Sequence, residues 1–424
     1  MDFNDTPEEA AFRSQVRTWL DANAKRRTDD KQTVRARQDD PETLKLAKIW
    51  QAKKAAAGYA KVTWPKEFGG LGASPIQQVI YSQEEANYVV PLGFFDIGLG
   101  MCIPTVMAYA KPDVLQRFVK PALYGEEIWC QLFSEPAAGS DVAGIVTRAE
   151  RDGPAPDADW IINGQKVWTS GAHYSDYGII ITRTDPNVAK HAGLTMFYLD
   201  MKSPGIEVRP IKQISGAANF NEVFFTNVRV KDSQRLGKPG DGWKVALTTL
   251  MNERLAVGTP QGGVDVDELL ELARETELED GPAIRNAHVR NKIADWYVQS
   301  QGLKYTKFRT LTSLSKGQQP GPESSIAKVV AGPKMQDLAT FAMEMMGPGG
   351  LMIKEATDTK LPGGGAFQQQ WFFGAALRIA GGTDEILRNI VAERVLGLPQ
   401  DVRVDKDVSF NDLKARAARG AKKG

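Results

Sequence analysis

Apolar residues recur at helical spacing almost from the start of the chain. Phe12, Val16, Trp19 and Leu20 line one face, the pattern of a helix that buries one stripe and leaves the rest in water. The start of that helix is written just upstream. Thr6-Pro7-Glu8-Glu9 supplies an N-cap hydroxyl, a proline at the first helical position and a glutamate at the third, which together predict a capping box. Helical patterning continues to about residue 125 and is broken by Trp64-Pro65-Lys66-Glu67-Phe68-Gly69-Gly70-Leu71-Gly72. The proline and glycines there predict a tight loop.

Near residue 128 the period changes. Ile128–Phe133, Trp160–Ile162, Gly178–Thr182, Leu194–Leu199, Gly205–Ile211 and Glu222–Val230 are short runs rich in β-branched and aromatic residues, each bounded by Gly, Pro, Asn or Asp. Such runs predict strands of a small antiparallel barrel or sandwich. Asp159–Lys166 reads as a hairpin, because Asn163-Gly164 can take the positive φ of a type I′ turn. From about Trp243 the helical period returns and runs to about Val395, with breaks over Lys316–Pro322 and at Gly347-Pro348-Gly349-Gly350. The stretch from Leu413 holds five basic residues and no acidic ones, and predicts a frayed, solvated tail. Helices, then strands, then helices make an α+β chain. Its expected divisions are an N-terminal α-helical domain over 1–127, a middle β-domain over 128–236, a C-terminal helical domain over 237–400 and a basic tail over 401–424.

Composition narrows the chemistry. Lys plus Arg number 53 against 52 for Asp plus Glu in 424 residues, a net charge of +1. That balance excludes nucleic acid as the main partner, since phosphate-backbone binding needs a basic excess. The cysteines, Cys102 and Cys130, and the histidines, His173, His191 and His288, are scattered. They form no structural zinc or iron–sulfur pattern and no disulfide framework, which fits a reducing compartment. The N-terminus lacks a basic region followed by an apolar one, and no run of 18 apolar residues occurs. A cytoplasmic protein without a membrane span is expected.

The glycine strings Gly347-Pro348-Gly349-Gly350 and Gly363-Gly364-Gly365 are not the G-x-G-x-x-G of a dinucleotide fold. No Walker lysine pattern and no context for a nucleophilic triad is present. More specific are Leu132-Phe133-Ser134-Glu135-Pro136-Ala137-Ala138-Gly139-Ser140-Asp141 and Lys166-Val167-Trp168-Thr169-Ser170-Gly171. With the Trp64–Gly72 loop and Gly381-Gly382-Thr383-Asp384-Glu385-Ile386, in that order, they make the chain from about residue 5 to about 400 resemble the acyl-CoA dehydrogenase family.

The resemblance implies N-terminal helices, a middle antiparallel β-barrel or sandwich and a C-terminal four-helix bundle, holding FAD. Phe133, Ser134 and Ser140 would meet the cofactor, Ser134 at the flavin and Ser140 at the pyrophosphate, with Ser140 also toward substrate. Trp168 would lie against the flavin and Ser170 would hydrogen-bond toward its N5, Thr383 and Glu385 would close over the cofactor, and Gly347 would also bind it. The family's Arg-x-x-Phe-Gly string is absent. In its place stand Arg274 and Arg285, either of which could reach the pyrophosphate or simply pair at the surface. Together with Pro320–Lys328, this departure looks like a bacterial subgroup associated with bulky, branched or ring-bearing acyl groups. His173 could stand at the flavin rim or be an ordinary loop histidine.

The implied reaction is α,β-dehydrogenation of an acyl-CoA thioester, with electrons passed on to an electron-transfer flavoprotein. Many relatives carry the base directly before the Gly-Thr pair, a position that here is Gly381. Relatives acting on isovaleryl and long-chain thioesters carry it on an earlier helix before an arginine, and Glu253-Arg254 matches that pattern. Glu253 is therefore the expected base, with Arg254 beside it toward substrate and the Gly381 N–H donating to the thioester oxygen. Glu385 is the alternative base. The expected assembly is a homotetramer or dimer, with a hetero-tetramer as the rival, and the apolar run Leu338–Met346 offers either core or contact surface. A flavin oxidase or mono-oxygenase, or a partner subunit without catalysis, would be other uses of the same fold.

Overall fold

The structure is a computed structural model that describes residues 5–27, 40–257, 264–316, 321–352, 365–405 and 407–420, a few side chains excepted, those of 253–257 among them. Gly363 and Gly364 lie outside the described residues. In chain order the elements are α1 (Pro7–Asn23), β1 (Lys25–Arg26), α2 (Pro41–Ala56), α3 (Pro75–Glu85), β2 (Tyr88–Val89), α4 (Ile103–Tyr109) and α5 (Pro112–Leu123). The strands β3 (Trp129–Leu132), β4 (Arg148–Arg151), β5 (Trp160–Ser170), β6 (Tyr177–Arg183), β7 (Leu194–Asp200), β8 (Ile206–Ile211), β9 (Phe220–Val230) and β10 (Arg235–Leu236) follow. Then come α6 (Gly242–Val257), α7 (Val266–Glu275), β11 (Glu277–Leu278), β12 (Gly281–Pro282), α8 (Ala287–Ser315), α9 (Ser325–Met345), α10 (Ala366–Leu377), α11 (Asp384–Arg394) and α12 (Phe410–Gly420).

The chain divides into two compact units. One comprises Met1–Arg35, Ser74–Val90 and Val257–Pro399; the other comprises Ala36–Ala73, Pro91–Ala256 and Gln400–Gly424. Thus α1 and α3 group with the C-terminal helices, and α2, α4, α5 and α6 with the strands.

In the helical unit, α1 starts where its capping box is written. The Glu9 amide donates to Thr6 Oγ1 at 3.2 Å, and the Thr6 amide donates to Glu9 Oε2 at 2.8 Å. Phe12, Val16 and Leu20 are its buried residues. Glu84 of α3 is buried and receives Arg13 at 3.1 Å and Arg17 at 3.0 Å, so the acid is paired where water is scarce. Among the later helices, α9 packs against α8, α10 and α11. Leu269 and Leu272 of α7, Ile293 and Trp296 of α8, Leu338 and Ala342 of α9 and Phe367 of α10 share one apolar core. Each large side chain removed from water there contributes about 1.5–3 kcal/mol. Phe341, Met343, Met345 and Met346 pack onto that core only partly buried.

In the strand unit the sheet order is β10-β7-β6-β4-β5-β9-β8, and β3 pairs with β6. β6 is the central strand. Gly178 to Arg183 are all buried, because both faces of the sheet are covered there. Ile179, Ile181, Met196 and Tyr198 meet residues of α4, α5 and α6, while Leu132, Ile162, Ile180, Phe197, Leu199, Val223 and Phe225 fill the opposite side. The strand runs follow their β-branched signal closely. Two features are non-local and escaped it: β4 is a short polar strand, and β3 lies parallel to β6, Trp129 opposite Tyr177.

The expected hairpin at Asn163-Gly164 does not form. β5 runs unbroken from Trp160 to Ser170. Instead Gly164 sits at φ +151°, where a Cβ would come within 2.7 Å of the Thr147 Cα. Asn163 faces an irregularity in β9, with its Oδ1 accepting from the Asn227 amide at 2.9 Å. The dipeptide serves a close strand approach and a bulge rather than a turn.

The basic stretch also departs from expectation. It is helical to Gly420 as α12, and Phe410 at its head is buried. No helix among the described residues is long and apolar enough to cross a membrane.

Candidate active site

In the strand unit, β3 ends at Leu132 and delivers Phe133 and Ser134 beside the end of β5. The Val167 amide donates to Ser134 O at 2.9 Å, which brings Ser134 next to Trp168. Underneath lies an ion pair without access to water. Lys166 Nζ, fully buried, donates to Glu135 Oε1 at 2.8 Å and to Phe133 O at 3.0 Å. The Glu135 carboxylate also accepts the amides of Val146 at 2.7 Å and Thr147 at 3.0 Å. Burial pulls the Lys166 ammonium down to about 8 in spite of its acid partner. Burial alone would raise the Glu135 carboxyl; Lys166 and the amides outweigh it and hold the group below its ordinary value. The pair is a girder tying the Phe133–Glu135 loop to β5.

What the girder presents is unusual. Trp168 sits in the left-handed region at φ +58°, costly for a bulky residue, and its side chain is 59% exposed. Phe220 meets its ring edge-on, with centroids 6.1 Å apart. The pairing of β5 with β9 shifts register between Lys166 and Thr169, so the tryptophan rides on an irregularity. Around it, the hydroxyls of Ser134 and Ser170 make no hydrogen bond to another described residue, and the buried Thr169 Oγ1 also lacks a partner. Ser140 lies farther along the same loop, exposed, next to Asp141, which is bound to Lys190 at 2.9 Å. His173 is exposed and bonds Asn221 Oδ1 through Nδ1 at 3.1 Å, which accounts for it as a loop histidine.

Glu253 and Arg254 belong to α6, but their side chains lie outside the described residues. The helix itself is well anchored. Thr249, fully buried, shares a 2.9 Å hydrogen bond with Thr105 of α4, and Tyr109 bonds Thr248 at 2.9 Å.

In the helical unit, Gly381 and Gly382 take positive φ, +66° and +93°, ahead of α11. Thr383 is the N-cap, its hydroxyl accepting from the Ile386 amide at 3.2 Å. Glu385 follows in the first turn and is exposed; its own amide and the Thr383 hydroxyl hold its carboxyl below the ordinary value. This loop is pinned from both sides. Lys328 Nζ of α9 donates to the carbonyls of Ala380 and Gly382, on either side of Gly381. Arg378 Nε donates to the buried Asp384 carboxylate at 2.8 Å. Gly347 stands at φ +57° just past α9, while Arg274 on α7 and Arg285 before α8 are exposed and make no ion pair among the described residues.

The sequence strings therefore placed Ser134, Trp168 and Ser170 together, and Gly381 with Thr383 and Glu385. They missed the charged side chains that hold those loops: Lys166 with Glu135, Lys190 with Asp141, Lys328, and Arg378 with Asp384.

Family models match along nearly the whole chain: the acyl-CoA dehydrogenase N-terminal domain over residues 6–126, the middle domain over 130–228 and the C-terminal domain over 240–396. The chain belongs to the acyl-CoA dehydrogenase family. Among its relatives is the acyl-CoA dehydrogenase IpdE1 of Mycobacterium tuberculosis, 36% identical over 92% of this chain and 98% of that protein. The acyl-CoA dehydrogenase FadE34 of the same organism is 38% identical over 82% of this chain, which spans about half (46%) of FadE34. The ChsE4–ChsE5 complex from Mycobacterium tuberculosis is a similar solved structure, with a TM-score of 0.75 and 27% identity over 95% of this chain and 100% of that one. Membership in a family of FAD-dependent flavoproteins makes this chain an oxidoreductase acting on acyl-CoA.

Proposed function

We propose that this acyl-CoA dehydrogenase binds FAD and introduces an α,β double bond into a bulky acyl-CoA thioester, using Glu253 as the base. The observation that carries the cofactor reading is Trp168: an exposed indole in a strained backbone conformation, flanked by the hydroxyls of Ser134 and Ser170, which make no hydrogen bond to another described residue. Strain and exposed apolar area both cost stability, and a flat, uncharged ring system covering the indole offsets that cost. Phe133, Ser134, Ser140, Trp168, Ser170, Gly347, Thr383 and Glu385 are the residues proposed to hold FAD. Arg274 and Arg285, exposed cations without acid partners among the described residues, are the two candidates for its pyrophosphate. FAD, when bound, supplies the acceptor for the hydrogen that leaves the β-carbon.

The remaining steps belong to the chain. Glu253 takes the α-proton, with Arg254 beside it in sequence and Ser140 toward substrate. Excluding water from a carboxylate raises its pKa and makes it a stronger base. Glu385 is exposed and its carboxyl is held below its ordinary value, which suits proton abstraction poorly. The Gly381 N–H donates to the thioester oxygen as charge develops there, and Lys328 on the neighbouring carbonyls keeps that amide oriented. An electron-transfer flavoprotein is the proposed electron acceptor.

The proposed setting is the cytoplasm, and the proposed assembly is a homotetramer or dimer. Exposed Tyr297, Val298, Trp371 and Phe373 on the C-terminal helices, and Ile379 in the turn after α10, suit such contacts. A hetero-tetramer is the second reading, favoured by the likeness to the ChsE4–ChsE5 complex. The protein purified alone is expected to carry about one FAD per chain, read from its visible absorbance, and to scatter light as a multiple of the chain mass. A colourless monomer that takes up no FAD on reconstitution would overturn the homo-oligomeric flavoenzyme. FAD uptake only with a co-expressed second chain would favour the hetero-tetramer.

A further inference from the structure

Among the described residues outside the strings that carry the family resemblance, one buried cation makes no ion pair with a carboxylate. Arg183, at the end of β6, is 4% exposed. Its guanidinium donates only to carbonyls: Nε to Ile145 O at 3.2 Å, Nη1 to Lys190 O at 2.7 Å, and Nη2 to Ala143 O. The face of the guanidinium is covered by the ring of Phe410, 3.8 Å from its carbon to the ring centroid. Burying a cation on neutral partners is expensive, and an apolar residue would fill the space more cheaply. What the arginine adds is directional. It ties the residues just after Ser140 and Asp141 to the loop that follows β6.

Phe410 comes from the far end of the chain. Its segment pairs with that same loop: the Phe410 amide donates to Val188 O at 3.1 Å, the Asn411 amide to Pro186 O at 3.0 Å, and Ser409 bridges to Ala189. Five residues earlier, Asp405 bonds Lys190 Nζ, which also holds both carboxylate oxygens of Asp141 at 2.9 Å. Two chains of contact therefore run from this segment to the neighbourhood of Ser140. One passes from Phe410 through Arg183 to Ala143 and Ile145; the other passes from Asp405 through Lys190 to Asp141. The segment lies beyond residue 396, where the family's C-terminal domain match ends. It belongs to this chain rather than to the matched domains.

We infer that Asp405 and the residues Asp407–Asn411 form a latch that positions the Ser140 loop for the cofactor, with Phe410 and Asp405 as its positioning residues. The inference rests on the reading that Ser140 contacts FAD. A seated latch holds the loop ready, so that FAD binding spends little on ordering it. An unseated latch uncovers the Arg183 guanidinium and takes from Lys190 one of its two acid partners, and the loop loosens with them.

The test uses the full-length protein as Phe410→Ala, Asp405→Asn and Phe410→Tyr. Amide hydrogen exchange is followed over residues 139–147 and 183–192, and the FAD dissociation constant is measured by titrating apoprotein. Phe410→Ala and Asp405→Asn are expected to speed exchange in both stretches and to weaken FAD binding by about tenfold, the scale of a desolvated cation–π contact. Phe410→Tyr, which keeps the ring, is expected to restore both readouts. Should Phe410→Ala fail to fold, the milder Asp405→Asn decides. Unchanged exchange, or an FAD dissociation constant within twofold of wild type despite faster exchange, would overturn the latch. A wild-type chain that binds no FAD would remove the cofactor reading instead; unchanged exchange in the variants would then still refute the latch.

Discussion

Glu253→Gln is expected to keep its FAD and to lose about 10²–10⁴ of the rate of flavin reduction, the range that a positioned general base contributes. The substitution keeps size and hydrogen-bonding capacity and removes only the ability to take a proton. The helix that carries Glu253 is fixed by interior contacts that the change does not touch, Thr249 to Thr105 and Tyr109 to Thr248. Rapid mixing with acyl-CoA under anaerobic conditions reads the step directly. Reduction at a near-wild-type rate would refute Glu253 as the base. Moving the acid offers a second reading: Gly381→Glu in a Glu253→Gly background is expected to recover part of the rate. Gly381 already sits at φ +66°, so the new side chain carries some backbone strain and full recovery is not expected.

Glu135→Ala is expected to destabilise the fold by about 3–5 kcal/mol, because it leaves the buried Lys166 ammonium without its acid. The same change frees the amides of Val146 and Thr147. Equilibrium urea unfolding checks the magnitude, and pH checks the cause. Lys166 titrates near 8 in the folded chain, below the roughly 10.4 of an unfolded lysine. Between those values the unfolded state binds more protons, so this group's contribution raises stability as pH climbs through the window. Its burial penalty is present in full below about 8. Without Glu135 the folded Lys166 is held lower still, so the charge-dependent part of the Glu135→Ala deficit is present below about 8 and is lost as pH rises through about 8, leaving only the part due to the lost hydrogen bonds. A deficit below about 1 kcal/mol, or one independent of pH, would show that the pair is not a girder.

Much of the fold was legible because its signals are local. Thr6 and Glu9 cap α1 within one turn, and the apolar run that became β6 needed only to be buried on both faces. The residues proposed for the cofactor wall were legible as two short strings, one holding Ser134 and the other Trp168 and Ser170. Their supports were not. Lys166 meets Glu135 across 31 positions, and Lys328 meets Ala380 across 52, separations at which no periodicity speaks. Two misreadings have the same root. Asn163-Gly164 looks like a turn until Thr147 of a neighbouring segment presses against the glycine. The terminal basic stretch looks frayed until Arg183, more than two hundred residues earlier, offers Phe410 a burial site. In each case a tertiary partner overrode a sound local rule.

The central claim is that this chain reduces its own flavin with an acyl-CoA. It is tested most directly by anaerobic titration of the purified, FAD-loaded protein with a panel of linear, branched, aromatic and steroid side-chain acyl-CoA thioesters, followed through the visible flavin absorbance. Bleaching that saturates near one equivalent per FAD with at least one bulky thioester, and that is lost in Glu253→Gln, is the predicted result. A flavin that stays fully oxidised across the whole panel would contradict the account.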